Sequence, residues 1–385
     1  MLAKNNQIVS SSSQIVIVAV DNLRVGGIQR IALDECYSLI DQNIDFQLIC
    51  FSKIEEEDSI LFVDSNYSKS RQVTPLIISG SIFFKIIQTS KILKKINKEV
   101  RVVVHSPSLS VIFFLSRILS NKRFPVLLWI HQVLSLSTYF QALKRVAYSN
   151  TADCVFFTTK QFELEWNLVI AKNFLLNLLK PKRSFFSRIG IYYKRVLSND
   201  WEQDFSCSPN IEHRIFASRI TSWKGISKLL EVIQHNEDSP SHYILMTTHS
   251  YKGSKFFENL NDKKIHILTS KTPAHLKYAP RSVHLYPSDY GTKVTYPMSI
   301  GLNVLEFLVL GIPSLISIEN FLTFPELKNC PLIRTCDWKD LDEIEQHLTE
   351  LSRNGNLGQG WLTEENLISI SNQEHMNEIL EYRYK

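Results

Sequence analysis

The chain has 385 residues, 44% of them hydrophobic and 21% charged, proportions that exclude a disordered or collagen-like chain. At about 150 residues per domain the length suggests two or three domains, and no run of about 18 uncharged apolar residues is present to cross a bilayer as a helix. The net charge of +5 hides an uneven split: residues 1–195 hold 25 Lys and Arg against 14 Asp and Glu, whereas residues 196–385 hold 18 against 24. A basic first half points to an anionic surface or acceptor, or equally to Lys-rich helices that solvate their outer faces.

The N-terminus, MLAKNNQIVSSSS, lacks the basic start, apolar block and small-residue cleavage site of a signal peptide. Six cysteines without a CxxC pair indicate neither a disulfide framework nor a zinc cage, so a reducing, cytoplasmic compartment is expected. Nearly continuous apolar runs follow at 15–20, 46–51, 101–105, 126–131 and 155–159, as strands buried on both faces should read. Between the first two, Ile28, Ile31, Ala32, Leu39 and Ile40 keep helical spacing, a β-α-β pattern that implies a parallel sheet with right-handed crossovers. The stretches 54–73 and 162–188 carry no assignable pattern, although 170–188 mixes apolar and basic residues as an interfacial helix, or a core helix with a basic loop, would.

The second half repeats the plan. Strands are predicted at 214–218, 243–247, 264–268, 283–287 and 313–317, and helices at 226–234, 254–260, 272–278 and 302–310. The tail reads as an amphipathic helix from 341, a Gly-containing loop and a final helix ending near 382. The expected organisation is a Rossmann-like domain over 1–195, a second Rossmann-like domain over 196–360, and a C-terminal helix in 361–385 that packs back on the first domain. The fold class is therefore α/β, two doubly wound parallel sheets facing a cleft.

Ligands of such sheets bind beyond the carboxyl ends of the strands, which directs attention to three segments there. Gly26-Gly27 follows the first strand and opens a helix: either backbone N–H groups approach an anionic ligand, or a tight turn merely needs positive φ. Ser218-Arg219 through Lys224-Gly225 places a guanidinium and an ammonium at one strand exit, where both can grip one anion. Gly301-Leu302-Asn303-Val304-Leu305-Glu306 leads through an apolar helix to Gly311-Ile312-Pro313, and Glu306, a lone carboxylate in that helix, needs either a protein partner or a ligand hydroxyl.

Taken together, these segments resemble the retaining nucleotide-sugar glycosyltransferases of the GT-B fold, family 4, over residues 15–350. The double glycine, the strand–S-R–x4–K-G element, the strand end Pro287-Ser288 and the G-x-N-V-L-E…G-x-P element from Gly301 to Pro313 carry the resemblance. It implies a donor site in which Arg219 and Lys224 hold the diphosphate and Glu306 the ribose hydroxyls. Gly26, Gly27, Gly301, Leu302, Asn303 and Ser299 supply further donor contacts. His131, ending a strand, resembles the family's active-site histidine, and His105 is a second candidate. One departure stands out: the family carries two glutamates eight positions apart, and the first position here is Met298. Asp289 or backbone N–H groups at 299–302 would replace that contact, or specificity has changed, or the chain is a catalytically inactive nucleotide-sugar or glycan-binding relative.

The resemblance implies transfer from a UDP- or GDP-sugar to a glycan or lipid-linked acceptor in cell-surface polysaccharide synthesis, without cofactor, metal or nucleic acid. The location implied is cytoplasmic, with peripheral docking on an anionic inner membrane face. The one Asp-x-Asp, Asp340-Leu341-Asp342, is expected to cap a helix.

Overall fold

The computed structural model describes residues 13–23, 27–52, 73–131, 134, 137–181, 183–197, 210–218, 224–236, 239–247, 264–269, 271, 273–276, 281–287, 301–317, 327, 329–353 and 361–382. Two all-parallel sheets organise them. The N-terminal sheet has seven strands in the order β3-β2-β1-β4-β5-β6-β7. They are β1 (Gln14–Val20), β2 (Asp45–Cys50), β3 (Leu76–Ile77), β4 (Glu99–Val104), β5 (Val126–Ile130), β6 (Cys154–Phe157) and β7 (Ser184–Phe186). The C-terminal sheet has six, in the order β10-β9-β8-β11-β12-β13: β8 (His213–Ala217), β9 (His242–Thr247), β10 (Ile265–Thr269), β11 (Ser282–Tyr286), β12 (Ser314–Ser317) and β13 (Ile333–Cys336). Both are the doubly wound order, in which the chain reverses direction of travel beside the first strand.

The apolar runs behave as predicted because each central strand is covered twice. In β1, Ile17 and Ala19 enter one core. Val16, Val18 and Val20 enter the other. Burying each of these Val and Ile side chains contributes about 1.5–3 kcal/mol. One face packs against α2 (Ile82–Lys95), α3 (Pro107–Ser120), α4 (Tyr139–Ser149), α5 (Lys160–Ala171) and α6 (Phe174–Leu178). The opposite face packs against α1 (Gly27–Asp41). The three strands that give no signal in the sequence, β3, β7 and β13, all lie at sheet edges. They are two to four residues long and only partly buried, so no continuous apolar run marks them.

The second lobe adds α7 (Tyr193–Leu197), α8 (Ile226–His235), α9 (Leu302–Val309) and α10 (Leu341–Arg353). The helix expected at 254–260 lies outside the described residues. The one expected at 272–278 is present as a single 3₁₀ turn, Pro273–Leu276. Asp340 caps α10, its Oδ1 accepting from the N–H groups of Asp342 (3.1 Å) and Glu343 (3.0 Å).

Two segments join the lobes. The linker 189–197 leaves the first sheet and feeds α7, while the C-terminal α11 (Glu364–Ser369) and α12 (Gln373–Glu381) return. Ile370 lies in the second lobe's core, and Met376 and Ile379 lie in the first lobe's. Where the segments cross, Ile191 N–H donates to the Ile370 carbonyl at 3.1 Å and Asn372 N–H to the Ile191 carbonyl at 3.1 Å. A Cβ on Gly190 would sit 2.0 Å from the Ser371 carbonyl oxygen, so only glycine permits this approach. Among the described residues, no helix is long and apolar enough to cross a membrane.

Candidate functional site between the lobes

In the C-terminal lobe, β8 and β11 are neighbours at the point where strand order reverses, and the loops beyond their carboxyl ends carry the sequence motifs. Gly225 caps α8 with φ +76°, and a Cβ there would approach the Pro287 carbonyl oxygen to 2.2 Å. The Lys-Gly element and the Pro287 strand end are thus stacked on one another. Lys224 Nζ lies 5.7 Å from the centroid of the Tyr286 ring, within cation–π range. Gly301 sits beside the same ring: its Cβ would meet Tyr286 Oη at 3.0 Å and Asn303 Oδ1 at 2.5 Å.

Asn303 fastens α9 to both strands. Its Nδ2 donates to the Ala217 carbonyl at 2.6 Å and to His284 Nε2 at 3.4 Å. His284 Nδ1 lies 3.1 Å from Ser314 Oγ, and the ring stacks on Phe307 with centroids 4.2 Å apart. Burial pulls its pKa down to about 3, so the ring is a neutral structural group. The first turn of α9 accordingly presents Leu302 and Asn303 N–H groups with no side-chain cap on Gly301.

Glu306 is buried and finds protein partners. Arg195 Nη2, on α7, donates to its Oε1 at 3.0 Å, and Arg30 Nη1, on α1, to Oε2. Arg195 Nε also binds Asp34 Oδ1 at 2.5 Å. Burial alone would favour a neutral guanidine, but Asp34 and Glu306 outweigh it and hold Arg195 charged, its pKa above the ordinary value. Through Arg30 the first turn of α1, which begins at Gly27, touches α9. Gly27 has no positive φ, and a Cβ there would meet nothing within 4 Å. The turn-geometry explanation for that glycine therefore fails.

His131 ends β5 and is partly exposed. Its Nε2 lies 2.9 Å from Nδ1 of His105, which ends the neighbouring β4. Desolvation, then the neighbouring imidazoles of His105 and His375, hold the His131 pKa well below the ordinary value. Gly26, Arg219, Met298, Ser299, Ser288 and Asp289 lie outside the described residues. Among the described residues no group of three or more His, Cys, Asp or Glu side chains is placed to hold a metal ion.

Sequence reasoning missed Arg30, Asp34 and Arg195, and also Glu35 and His375. The signal that singled out Glu306, a charge in an apolar helix, was equally present at Asp34-Glu35 within the run 31–39. Nothing comparable marks Arg195, which follows Lys194 in a short stretch of mixed aromatic, basic and apolar residues, Tyr192 to Leu197.

No protein-family model and no curated protein matches this sequence. Solved structures do match in shape. HepE of Anabaena, in complex with UDP and glucose, superposes with a TM-score of 0.65 at 12% identity, covering 96% of this chain and 100% of that one. The lipopolysaccharide outer core galactosyltransferase WaaB gives 0.54 at 12% identity, covering 95% and 99%. An alpha-glucosyltransferase in complex with UDP-glucose and abasic-site DNA gives 0.65 at 14% identity, covering 95% and 99%. The chain has the two-lobed GT-B fold of these glycosyltransferases.

Proposed function

We propose that this protein is a retaining glycosyltransferase that moves a sugar from a UDP- or GDP-sugar to a glycan or lipid-linked acceptor. The observation that carries the reading is the convergence of Lys224, Gly225, Gly301 and Glu306 around the β8/β11 reversal, opposite the Gly27 end of α1. In this reading Lys224 and Arg219 neutralise the diphosphate. The α9 N-terminus adds N–H donors and a favourable dipole. Cleavage of the anomeric bond leaves positive charge on the sugar and negative charge on the departing phosphate, and preorganised cations stabilise the latter. No metal or other cofactor is required for that role. Gly27, needing no special backbone, leaves room for the diphosphate and sugar to approach the N–H groups of α1, and Gly26 precedes it. Glu306 receives the ribose hydroxyls as the donor displaces Arg30, the more exposed of its two arginines, from Oε2, while Arg195 stays on Oε1. Leu302, Asn303, Met298 and Ser299 complete the donor loop, with backbone N–H groups standing in where the family carries its first glutamate. His131 lines the reacting end, on the first lobe.

Exposed Ile82, Phe83 and Phe84 open α2, whose later turns carry Lys91, Lys94 and Lys95. Exposed Ile118 and Leu119 end the neighbouring α3. This apolar and basic face supports docking at the anionic cytoplasmic surface where lipid-linked glycans for cell-surface polysaccharide are built. Vesicle co-sedimentation that ignores anionic lipid content would remove that part of the reading.

The decisive experiment incubates the protein with UDP- and GDP-sugars and with glycan, lipid-linked and DNA acceptors. Acceptor-dependent release of UDP or GDP, with the anomeric configuration retained in the product, is expected. Donor binding without turnover across the panel would instead establish the inactive nucleotide-sugar-binding relative.

A further inference from the structure

Two arginines share Glu306, and they hold it differently. The Arg195 side chain is 0% exposed and spreads Nε and Nη2 over both carboxylates of Asp34 and Glu306. The Arg30 side chain is 15% exposed and meets Glu306 Oε2 end-on, through Nη1. Its buried Nε has no hydrogen-bond partner among the described residues. The carboxylates of its own helix are committed elsewhere: Asp34 to Arg195, and Glu35 to His105 Nε2 at 3.0 Å and to Nε2 of His375 on α12. No acidic residue lies in the first turn of α1.

A guanidinium carries five donors in a planar fork that matches two oxygens of one phosphate. An end-on grip leaves most of that fork unused, and a donor buried without a partner costs free energy. Arg195 is thus built into the junction between the lobes, whereas Arg30 is held by one replaceable contact. Arg30 also lies three residues beyond Gly27, on the turn of α1 that faces the second lobe and touches α9. Releasing it does not strand Glu306, because Arg195 stays on Oε1 and the buried carboxylate keeps a cation.

We propose that Arg30 exchanges partners as the donor binds: it leaves Glu306 Oε2 to the ribose hydroxyls and turns its fork onto the diphosphate, a cation from the first lobe beside Arg219 and Lys224. The exchange rests on the transferase reading above, which puts the ribose at Glu306 and the diphosphate at the Gly27 end of α1. It gives a nucleoside and its diphosphate opposite responses to the loss of Arg30. A nucleoside must break the Arg30 contact and offers the guanidinium nothing in return, so its affinity is reduced by the fraction of time Oε2 is open. A nucleoside diphosphate replaces that contact with charge-assisted bonds to phosphate oxygens.

The test titrates the full-length protein and its Arg30→Met variant with uridine and UDP, and with guanosine and GDP, by calorimetry. Methionine keeps an apolar stem and removes every donor. For the base that binds, the nucleoside should bind Arg30→Met about threefold to tenfold more tightly, as for an open fraction of about a third to a tenth. The diphosphate should bind at least about threefold more weakly, because the lost phosphate contact outweighs the freed carboxylate. A 2′,3′-dideoxynucleoside, which lacks the hydroxyls that Glu306 would receive, should bind both proteins alike. Unchanged or weakened nucleoside binding in Arg30→Met would overturn the exchange, as would a diphosphate that tightens with the nucleoside or a dideoxynucleoside that gains as much. Should Arg30→Met fail to fold, Arg30→Gln, equally uncharged, should show the same two opposite shifts, and their absence there overturns the exchange as well. Binding of UDP or GDP without those shifts removes the exchange alone, whereas failure of every nucleoside and nucleotide to bind either protein undoes the donor reading and the exchange with it.

Discussion

Arg195 donates to Glu306 at 3.0 Å across the junction between linker and second lobe, and its other edge is bound to Asp34 of the first lobe. Because Asp34 lies on α1 of the first lobe and Glu306 on α9 of the second, one guanidinium bridges the two halves of the molecule, and Arg30 adds a direct contact from α1 to α9. A buried pair contributes little net stability when intact, since desolvation offsets attraction, but removing one partner exposes the full cost. Arg195→Met leaves Asp34 without its cation and Glu306 with Arg30 alone, and should lower stability by about 3–5 kcal/mol. Glu306→Gln keeps one acceptor oxygen and leaves Arg195 its pair with Asp34, so it should cost less. Thermal unfolding of the two variants side by side checks the order, and a milder effect for Arg195→Met contradicts it.

Gly225, at the start of α8, is sensitive to a single added methyl group. Its left-handed φ of +76° and the Pro287 oxygen at 2.2 Å from the would-be Cβ act together. The backbone penalty is about 1–2 kcal/mol, and relief of the clash must displace either the β11 exit or Lys224 itself. Gly225→Ala should therefore weaken UDP or GDP binding by at least about tenfold, a loss of roughly 1.4 kcal/mol, while circular dichroism stays unchanged. Titration calorimetry showing undiminished affinity would separate the loop from the nucleotide.

Glycines at strand–helix junctions could be recognised in the sequence because only twelve are present in 385 residues; Gly225 proves to be required by its positive φ and the Pro287 backbone, and Gly301 sits against the side chains of Asn303 and Tyr286. The central strands were equally legible, since burial on two faces leaves a continuous apolar run. Edge strands such as Leu76–Ile77 escaped because they are short and half wetted. The partners of Glu306 escaped for a different reason. Arg30, Asp34 and Arg195 are brought to it by the approach of two lobes, and no local pattern encodes a contact between residues 276 positions apart. The Glu35–His375 contact, spanning 340 positions, depends likewise on the return of the final helix.

Lys224 tests the chemistry with the least structural disturbance. Its side chain lies over Tyr286 rather than in the core, and the adjacent glycine supplies the backbone requirement. Lys224→Ala should lower turnover at least tenfold, the low end for losing one preorganised stabilising group, with little change in the unfolding midpoint. Lys224→Arg should recover part of the loss, because the charge is restored in a different geometry. Turnover equal to that of the unaltered protein would remove Lys224 from the mechanism.

Acid should unfold the protein in two stages whose origins are known. His284, buried between Ser314, Asn303 and Phe307, has its pKa pulled from an ordinary value of about 6.5 to about 3 by burial. Between those limits the unfolded chain binds a proton that the folded ring refuses. Stability is therefore complete above about pH 6.5 and is lost as pH falls toward 3, at about 1.4 kcal/mol per unit for one proton. His131 acts in the same direction, because burial and the imidazoles beside it also depress its pKa. Glu35 follows later: held at about 2 by its two imidazoles despite burial, it withdraws stability only as pH falls below about 4.3, the ordinary glutamate value. His284→Gln removes one titrating group without touching the others. The slope of unfolding free energy against pH between about 6 and 5 should then fall by about 1.4 kcal/mol per unit relative to the unaltered protein. Urea unfolding at stepped pH measures that slope, and identical slopes for the two proteins would show that His284 is already protonated in the fold.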